Sequence, residues 1–401
     1  MRRLVPIAAA ALCAAASARA AEPVAVDHIV VTAGRSARPL AEAPAALSVV
    51  DRRALEDGRA TVSLDESLTR VPGLLAQNSG NFAQDLRLQI RGFGTRAAFG
   101  IREIKVLVDG LPETLVDGQT QLDTIDLGAI ERIEVLRRPA AALYGNASGG
   151  VLQLFTTEGT DEPWADVRVL GGSFDRQKYQ LRGGGRSGPW KLFAQAARFT
   201  TDGHREHAAA RSTNANLRLR RDLGRRADLS LLVSAVDAPR AEDPGALTRA
   251  DADASPGAAR PLNVALDAGE EVRELRAGLV LRHAGAAGRL DAWAYGVARD
   301  FENRLAVPAE QGAGVVAFER VAPGAGVQFE RAWSLLGREQ TVLAGVDVQH
   351  QDDDRTRHTN VAGERGMLLL AQRERVTGAG AFLQNTTRLG DTVELFAGGR
   401  Y

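Results

Sequence analysis

From Pro163 onward the chain repeats one pattern, short segments in which apolar and polar residues alternate with a period of two. Leu275, Ala277, Leu279 and Leu281 alternate with Glu274, Arg276, Gly278 and Arg282. Val342, Ala344, Val346 and Val348 alternate with Gly345, Asp347 and Gln349. Similar runs lie near 165–174, 175–184, 190–201, 212–221, 226–237, 288–302, 327–336, 373–388 and 391–401. That makes about eleven segments of roughly ten residues, the length and pattern of strands that cross an outer membrane. Short turns (around Gly183 to Gly188, Asp222 to Gly224, Ala284 to Gly288, Gly337-Arg338 and Leu389-Gly390) take turns with long loops near 202–211, 238–270, 303–326 and 352–370. The first hairpin, near Gly171 to Asp175, departs from this with a short outer loop. Short turns on one side and long loops on the other are the habit of a membrane barrel, and a soluble sandwich has no reason to keep that parity.

The start of the chain agrees with export. Met1-Arg2-Arg3, the apolar run Leu4 to Ala16 and the small-x-small site Ala18-Arg19-Ala20 make residues 1–20 a signal peptide cut after Ala20. The one cysteine, Cys13, leaves with it, so the mature chain has no thiol for a disulfide or a zinc site. Leu12 is too large for a lipoprotein-type site, and Arg2-Arg3 lacks twin-arginine flanks. Beyond residue 20 no stretch reaches the ~18 consecutive apolar residues of a membrane helix, which leaves a soluble fold or a closed barrel. Fifty basic against fifty acidic residues argue against nucleic acid as partner. No nucleophile–base–orienter set stands out, so neither an enzyme nor a cofactor is expected.

Residues 48–157 read differently, as mixed α and β with their own core. Ser63-Leu64-Asp65-Glu66 has the form of a capping box, with the Ser63 hydroxyl and the Glu66 carboxylate each taking a free N–H. It places Leu64, Leu68 and Val71 on one face of a short helix that ends at Pro72-Gly73. Arg87 to Arg91, Lys105 to Val108, Ile133 to Leu136 and Val151 to Phe155 read as strands, with Asp109-Gly110 as a turn. Ahead of them, Asp27-His28-Ile29-Val30-Val31-Thr32-Ala33 is a β-prone run that can add to the edge of a partner's sheet.

Taken in order, Ile29 to Ala33, Leu64-Asp65-Glu66-Ser67-Leu68 with Val71-Pro72-Gly73, Ile90-Arg91-Gly92-Phe93-Gly94, Val108-Asp109-Gly110 with Pro112, Ile130 to Arg137, and Tyr144-Gly145-Asn146 with Gly149-Gly150 resemble the TonB-dependent receptor family. The resemblance is strong over 27 to about 157, and beyond that rests on strand rhythm. Arg138 stands where the family usually has Gly. It implies an α+β plug domain followed by a transmembrane antiparallel β-barrel, here truncated at about half its strands. The chain stops within a strand at Gly399-Arg400-Tyr401, and an odd strand count does not close a bacterial barrel. The domains expected are a signal peptide at 1–20, a periplasmic TonB-box segment and linker at 21–47, the plug at 48–157 and the partial barrel at 164–401.

By the same resemblance the protein is an outer-membrane importer of Gram-negative bacteria. The inner-membrane TonB energy-transducing complex would pull on Ile29, Val30, Val31, Thr32 and Ala33. The other partners implied are outer-membrane lipid and lipopolysaccharide and a small anionic ligand, a siderophore or a redox cofactor, with the receptor a monomer. Phe93, Arg96, Phe99, Arg102 and Gln119 could offer aromatic and guanidinium faces to such a ligand at the outer tip, or pack plug loops on the wall. Arg91 and Arg137 are implied to latch plug to barrel by pairing with wall glutamates. Two weaker patterns read as solvated loop residues, His204-Arg205-Glu206-His207 and Asp352-Asp353-Asp354. The rival reading is an exported soluble α/β–β surface-binding protein or hydrolase.

Overall fold

The computed structural model describes residues 30–35, 38–40, 46–97, 99–335, 337–390 and 393–401; the expected signal peptide at 1–20 and Ile29 lie outside the described residues. β1 (Val30–Val31) pairs antiparallel with β2 (Arg38–Pro39). There follow β3 (Leu47–Asp51), α1 (Arg52–Glu56), α2 (Asp65–Leu68), β4 (Leu74–Gln77) and β5 (Arg87–Ile90). Next come β6 (Ile104–Val108), β7 (Leu111–Pro112), β8 (Ile130–Leu136), α3 (Ala141–Tyr144) and β9 (Gly150–Thr156). A five-stranded sheet runs β3-β8-β9-β6-β7, with only β6 and β9 parallel.

Alternation along these strands sorts their side chains into two faces. Ile104, Val106, Ile133, Val135, Leu152 and Leu154 are fully buried and pack with Leu55, Leu64 and Leu68 from the two short helices. Between them in sequence, Lys105, Leu107, Arg132, Gln153 and Phe155 line a cavity on the opposite face. β6 turns into β7 through Asp109 and Gly110, whose φ values of 51° and 92° suit a tight hairpin turn.

The capping box forms only in part. Glu66 reaches back to the amides of Thr61, Val62 and Ser63 at 2.9, 2.9 and 3.0 Å. The Ser63 hydroxyl instead accepts from Asn78, and the helix is one turn, ending at Leu68. Three upstream amides gather on one carboxylate, so the acid organises the loop before the helix more than the helix itself.

The larger sheet holds β10 (Trp164–Gly172), β11 (Arg176–Ser187), β12 (Trp190–Thr201), β13 (Ala210–Asp222) and β14 (Ala227–Glu242). A loop carrying α4 (Arg249–Ala254) and α5 (Pro261–Ala265) leads to β15 (Gly269–Gly285) and β16 (Gly288–Arg304). β17 (Val315–Val321), β18 (Gly324–Leu335), β19 (Arg338–Val361), β20 (Glu364–Arg388) and β21 (Glu394–Arg400) complete it. All neighbours are antiparallel and follow chain order, except that β17 and β18 lie end to end between β16 and β19. Twelve strands thus fill eleven positions, a break at Ala322-Pro323 dividing one of them.

Two of the expected long loops contain strand, one for half its length and the other for nearly all of it. The segment 303–326 contains β17, and 352–370 is the far end of β19 and β20, which run 24 and 25 residues to a turn at Ala362-Gly363. Asp352, Asp353 and Asp354 therefore sit in a ladder and not in a loop. Strands longer than the ~9–11 residues that cross a bilayer extend beyond it, where polar residues hide the strand rhythm.

The alternate residues turned away from the plug are exposed and apolar, among them Val167, Val169, Leu181, Leu275, Leu279, Val346 and Val348, with Trp190 and Trp333 near the short-turn end. A soluble protein would bury such a face, whereas a bilayer covers it.

Candidate functional site

Three regions matter: the underside of the plug at the short-turn end, its apex at the long-loop end, and the seam with the wall.

At the underside, the end of the β-prone run is tied down by three side chains. The amides of Thr32 and Ala33 both donate to one oxygen of Glu134, at 2.7 and 2.9 Å. Glu134 is wholly buried within β8 and also accepts from Arg132 at 3.2 Å. Burial pushes its carboxyl above the ordinary range, against the pull of the Thr32 amide and Arg132. The Tyr144 hydroxyl donates to the Ala33 carbonyl at 3.1 Å, and burial pushes it up to about 12.

Arg35 turns back with φ 66° and lies between the rings of Tyr144 and Phe382, at 4.4 and 4.3 Å. It reaches Asp347 at 3.7 Å and Gln328 at 3.2 Å, both on the wall. Two stacked rings and a carboxylate hold one guanidinium from three sides. The segment is thereby fastened to plug and barrel together. Of the expected coupling residues, Val30 and Val31 form β1, and Thr32 and Ala33 make the contacts above. Arg35, Glu134 and Tyr144 were not singled out from the sequence. The available signal was a charged residue, Glu134, between Ile133 and Val135, which a buried strand admits only with partners.

Beside this attachment lies a cavity of about 490 Å³ between the polar face of the plug sheet and the wall. Lys105 and Gln153 line it from the plug, Arg35 from the tied segment, and Asp347 and Arg400 from the wall.

At the apex, the structure brings some of the expected ligand residues together. Arg102 donates to the Asp117 carbonyl at 2.9 Å, and the Gln119 amide side chain donates to the Phe99 carbonyl at 3.2 Å. The Gly100 amide donates to Asp85 at 2.7 Å, fixing the loop that presents Phe99, whose ring is 70% exposed. Arg96 is exposed on the preceding turn. Phe93 lies apart against Gly149, where an added Cβ would come within 2.5 Å of the Phe93 Cβ.

The seam is held by groups other than the expected latch. Arg91 is exposed, with φ 49° and its amide on the Gly73 carbonyl. Arg137 donates to the Pro72 carbonyl at 2.6 Å. Among the described residues neither meets a carboxylate. Instead the wall supplies cations and the plug anions: Lys178 with Asp126 at 3.1 Å, Arg218 with Asp109 at 3.1 Å, Arg276 with Glu113 at 2.7 Å and Arg299 with Asp123 at 2.7 Å. Arg182 with Glu56, and Arg218 with Glu158, extend the ladder. In the loop after β12, His207 turns to the Ala268 carbonyl at 2.8 Å, and the Glu206 amide to Gly257.

Residues 39–151 match the TonB-dependent Receptor Plug Domain family. The vitamin B12 transporter BtuB of Vibrio vulnificus is 36% identical over 153 residues, 38% of this chain and 24% of that protein. The BtuB of Photobacterium profundum is 35% identical over 176 residues, 43% of this chain and 27% of that protein. Among solved structures, the unliganded ferric citrate transporter FecA superposes with a TM-score of 0.72 at 21% identity, covering 89% of this chain and 55% of that one. BauA, the ferric preacinetobactin receptor of Acinetobacter baumannii, gives 0.73 at 15% identity, covering 92% and 59%. The aligned part thus spans about a quarter of the curated relatives and little more than half of the solved chains.

Proposed function

We propose that this chain, which belongs to the TonB-dependent receptor family, serves as plug and barrel wall in an outer-membrane importer driven from the inner membrane. Ligand docks at the apex on Phe99, Arg102 and Gln119, with Arg96 and Phe93 at its margins. Force delivered by the TonB complex to Ile29, Val30, Val31, Thr32 and Ala33 then rearranges the plug. The cargo is a scarce anionic small molecule of the ferric-siderophore or redox-cofactor kind; relatives named for vitamin B12 and for ferric chelates support an import role. Arg91, exposed, and Arg137, half-buried against the Pro72 carbonyl, latch the plug by pairing with wall glutamates. The receptor sits as a monomer in lipid and lipopolysaccharide, with the exposed apolar face in the bilayer.

The observation that carries this reading is the fastening of residues 32–35. A backbone held by one carboxylate, one phenol and one guanidinium is attached at both plug and wall, so tension on the strand just before it is transmitted to both. Deleting residues 29–33 from the full-length protein should abolish uptake at limiting ligand while leaving ligand binding to cells unchanged. Normal growth of the deletion strain on limiting ligand would refute the coupling role.

A further inference from the structure

The cavity under the plug has a charge imbalance that the seam does not explain. Arg35 and Arg400 share the single carboxylate of Asp347, Arg400 at 2.6 Å and Arg35 at 3.7 Å. Lys105 faces the same space, 6% exposed, and among the described residues its ammonium has one hydrogen-bond partner, the Thr114 carbonyl at 3.2 Å. A lysine ammonium has three protons to donate. Next to it, Gln153 is also 6% exposed, and its carbonyl oxygen has no hydrogen-bond partner among the described residues. Elsewhere the lining holds four further arginines and four further carboxylates, which balance, so the surplus positive charge lies where Arg35, Lys105 and Arg400 face Asp347 alone, and that corner favours negative charge.

We infer that this cavity is an oxyanion-binding subsite for a hydroxylated ligand, with Lys105 and Arg400 holding a carboxylate or phosphate and the Gln153 carbonyl oxygen accepting from a hydroxyl of the same ligand. It lies beneath the plug sheet, next to the segment under tension, on the side opposite the apex. Its anion binding is independent of the transport reading; its use as a stopping point for cargo leaving the apex rests on that reading. Burial, then Arg35, lowers the Lys105 amine to about 8. An incoming anion offsets both effects, so it binds the protonated amine and draws a proton with it.

The chain has three lysines, Lys105, Lys178 and Lys191, which makes the site open to direct observation. Full-length protein in lipid nanodiscs, reductively methylated with 13C, would be titrated with citrate while the lysine methyl signals are followed; the Lys105 signal is identified by its absence in Lys105→Met. Citrate should move the Lys105 signal and raise its titration midpoint by about one pH unit, leaving Lys178 unmoved. Calorimetry provides the second readout. Citrate affinity should fall about tenfold in Lys105→Met and again in Gln153→Leu, and about tenfold in the wild type between pH 7 and 9.5. Lys191→Met should bind as the wild type does. Arg96→Ala/Arg102→Ala removes any citrate bound at the apex and should leave the Lys105 response intact. A Lys105 signal indifferent to citrate, or equal affinity in Lys105→Met, overturns the site. Citrate binding retained in a receptor shown not to import anything would instead refute only the transport reading.

Discussion

Glu134 and Lys105 occupy the same face of one small sheet, and burial disfavours the charged form of each. Glu134 has compensation, two backbone amides and Arg132. Glu134→Gln keeps the shape and loses the charge, so docking of residues 32–33 should weaken by about 1–2 kcal/mol. A spin label at Val30→Cys, with Cys13 replaced by Ser, should then show a several-fold larger mobile fraction; an unchanged spectrum would mean that the segment is held elsewhere. Lys105 has little compensation. Its folded value of about 8 lies below the ordinary 10.5, so the folded state binds fewer protons over that interval and stability rises with pH from about 8 to 10.5. The penalty is fully present below pH 8. Lys105→Met should therefore stabilise the plug at pH 7, by up to about 3 kcal/mol, and remove the rise, as read by denaturant midpoints across the pH range. At this scale the sequence was a partial guide. It pointed to Ile29–Ala33 through β propensity, but Arg35, Glu134 and Tyr144 meet only because the fold brings together positions about a hundred residues apart, and no local pattern encodes that.

The strands were legible wherever one face meets lipid. Leu275 to Leu281 and Val342 to Val348 alternate because the bilayer and the plug side impose opposite chemistry on successive side chains. That constraint ends at the membrane surface, and there the reading failed: the acids at 352–354 look like a solvated loop yet form the ladder between β17, β19 and β20. Asp353 is fully buried and takes both arms of Arg320, at 2.6 and 2.7 Å, with Gln351 at 3.0 Å. Its neighbour Asp352 meets Arg373 and Arg375 on the outer, exposed face. The two pairs should therefore behave differently despite similar distances. Asp353→Asn leaves Arg320 buried without its counter-charge and should cost about 3–5 kcal/mol. Arg373→Ala removes an exposed pair, screened by solvent, and should leave the unfolding midpoint almost unchanged. Thermal unfolding of the two variants in detergent distinguishes these outcomes, and equal losses would show that the hairpin end is solvated throughout.

Across the whole molecule, the wall presents its cations to the plug's anions from β11 through β16. The contacts join Lys178, Arg182, Arg218, Arg276 and Arg299 to Asp126, Glu56, Asp109, Glu113 and Asp123. Sliding plug against wall without hydrating them would leave lone buried charges, each costing several kcal/mol. Residues 32–35 are held by far fewer contacts, and those lie in line with the proposed pull. Tension should then displace the tied segment and the cavity side while β11 to β16 keep the plug in place. Cysteines at Asp126 and Lys178, joined by a short thiol crosslinker, should leave at least half of the uptake rate. Cysteines at Ala33 and Gln328, joined in the same way, should reduce uptake to background, with reduction of a cleavable linker restoring it. The wall cations of the ladder are all buried, so raising salt from about 0.1 to about 1 M should not mimic either crosslink. Uptake abolished by the first crosslink would mean that the plug leaves this wall during transport, and that the ladder breaks and reforms in every cycle.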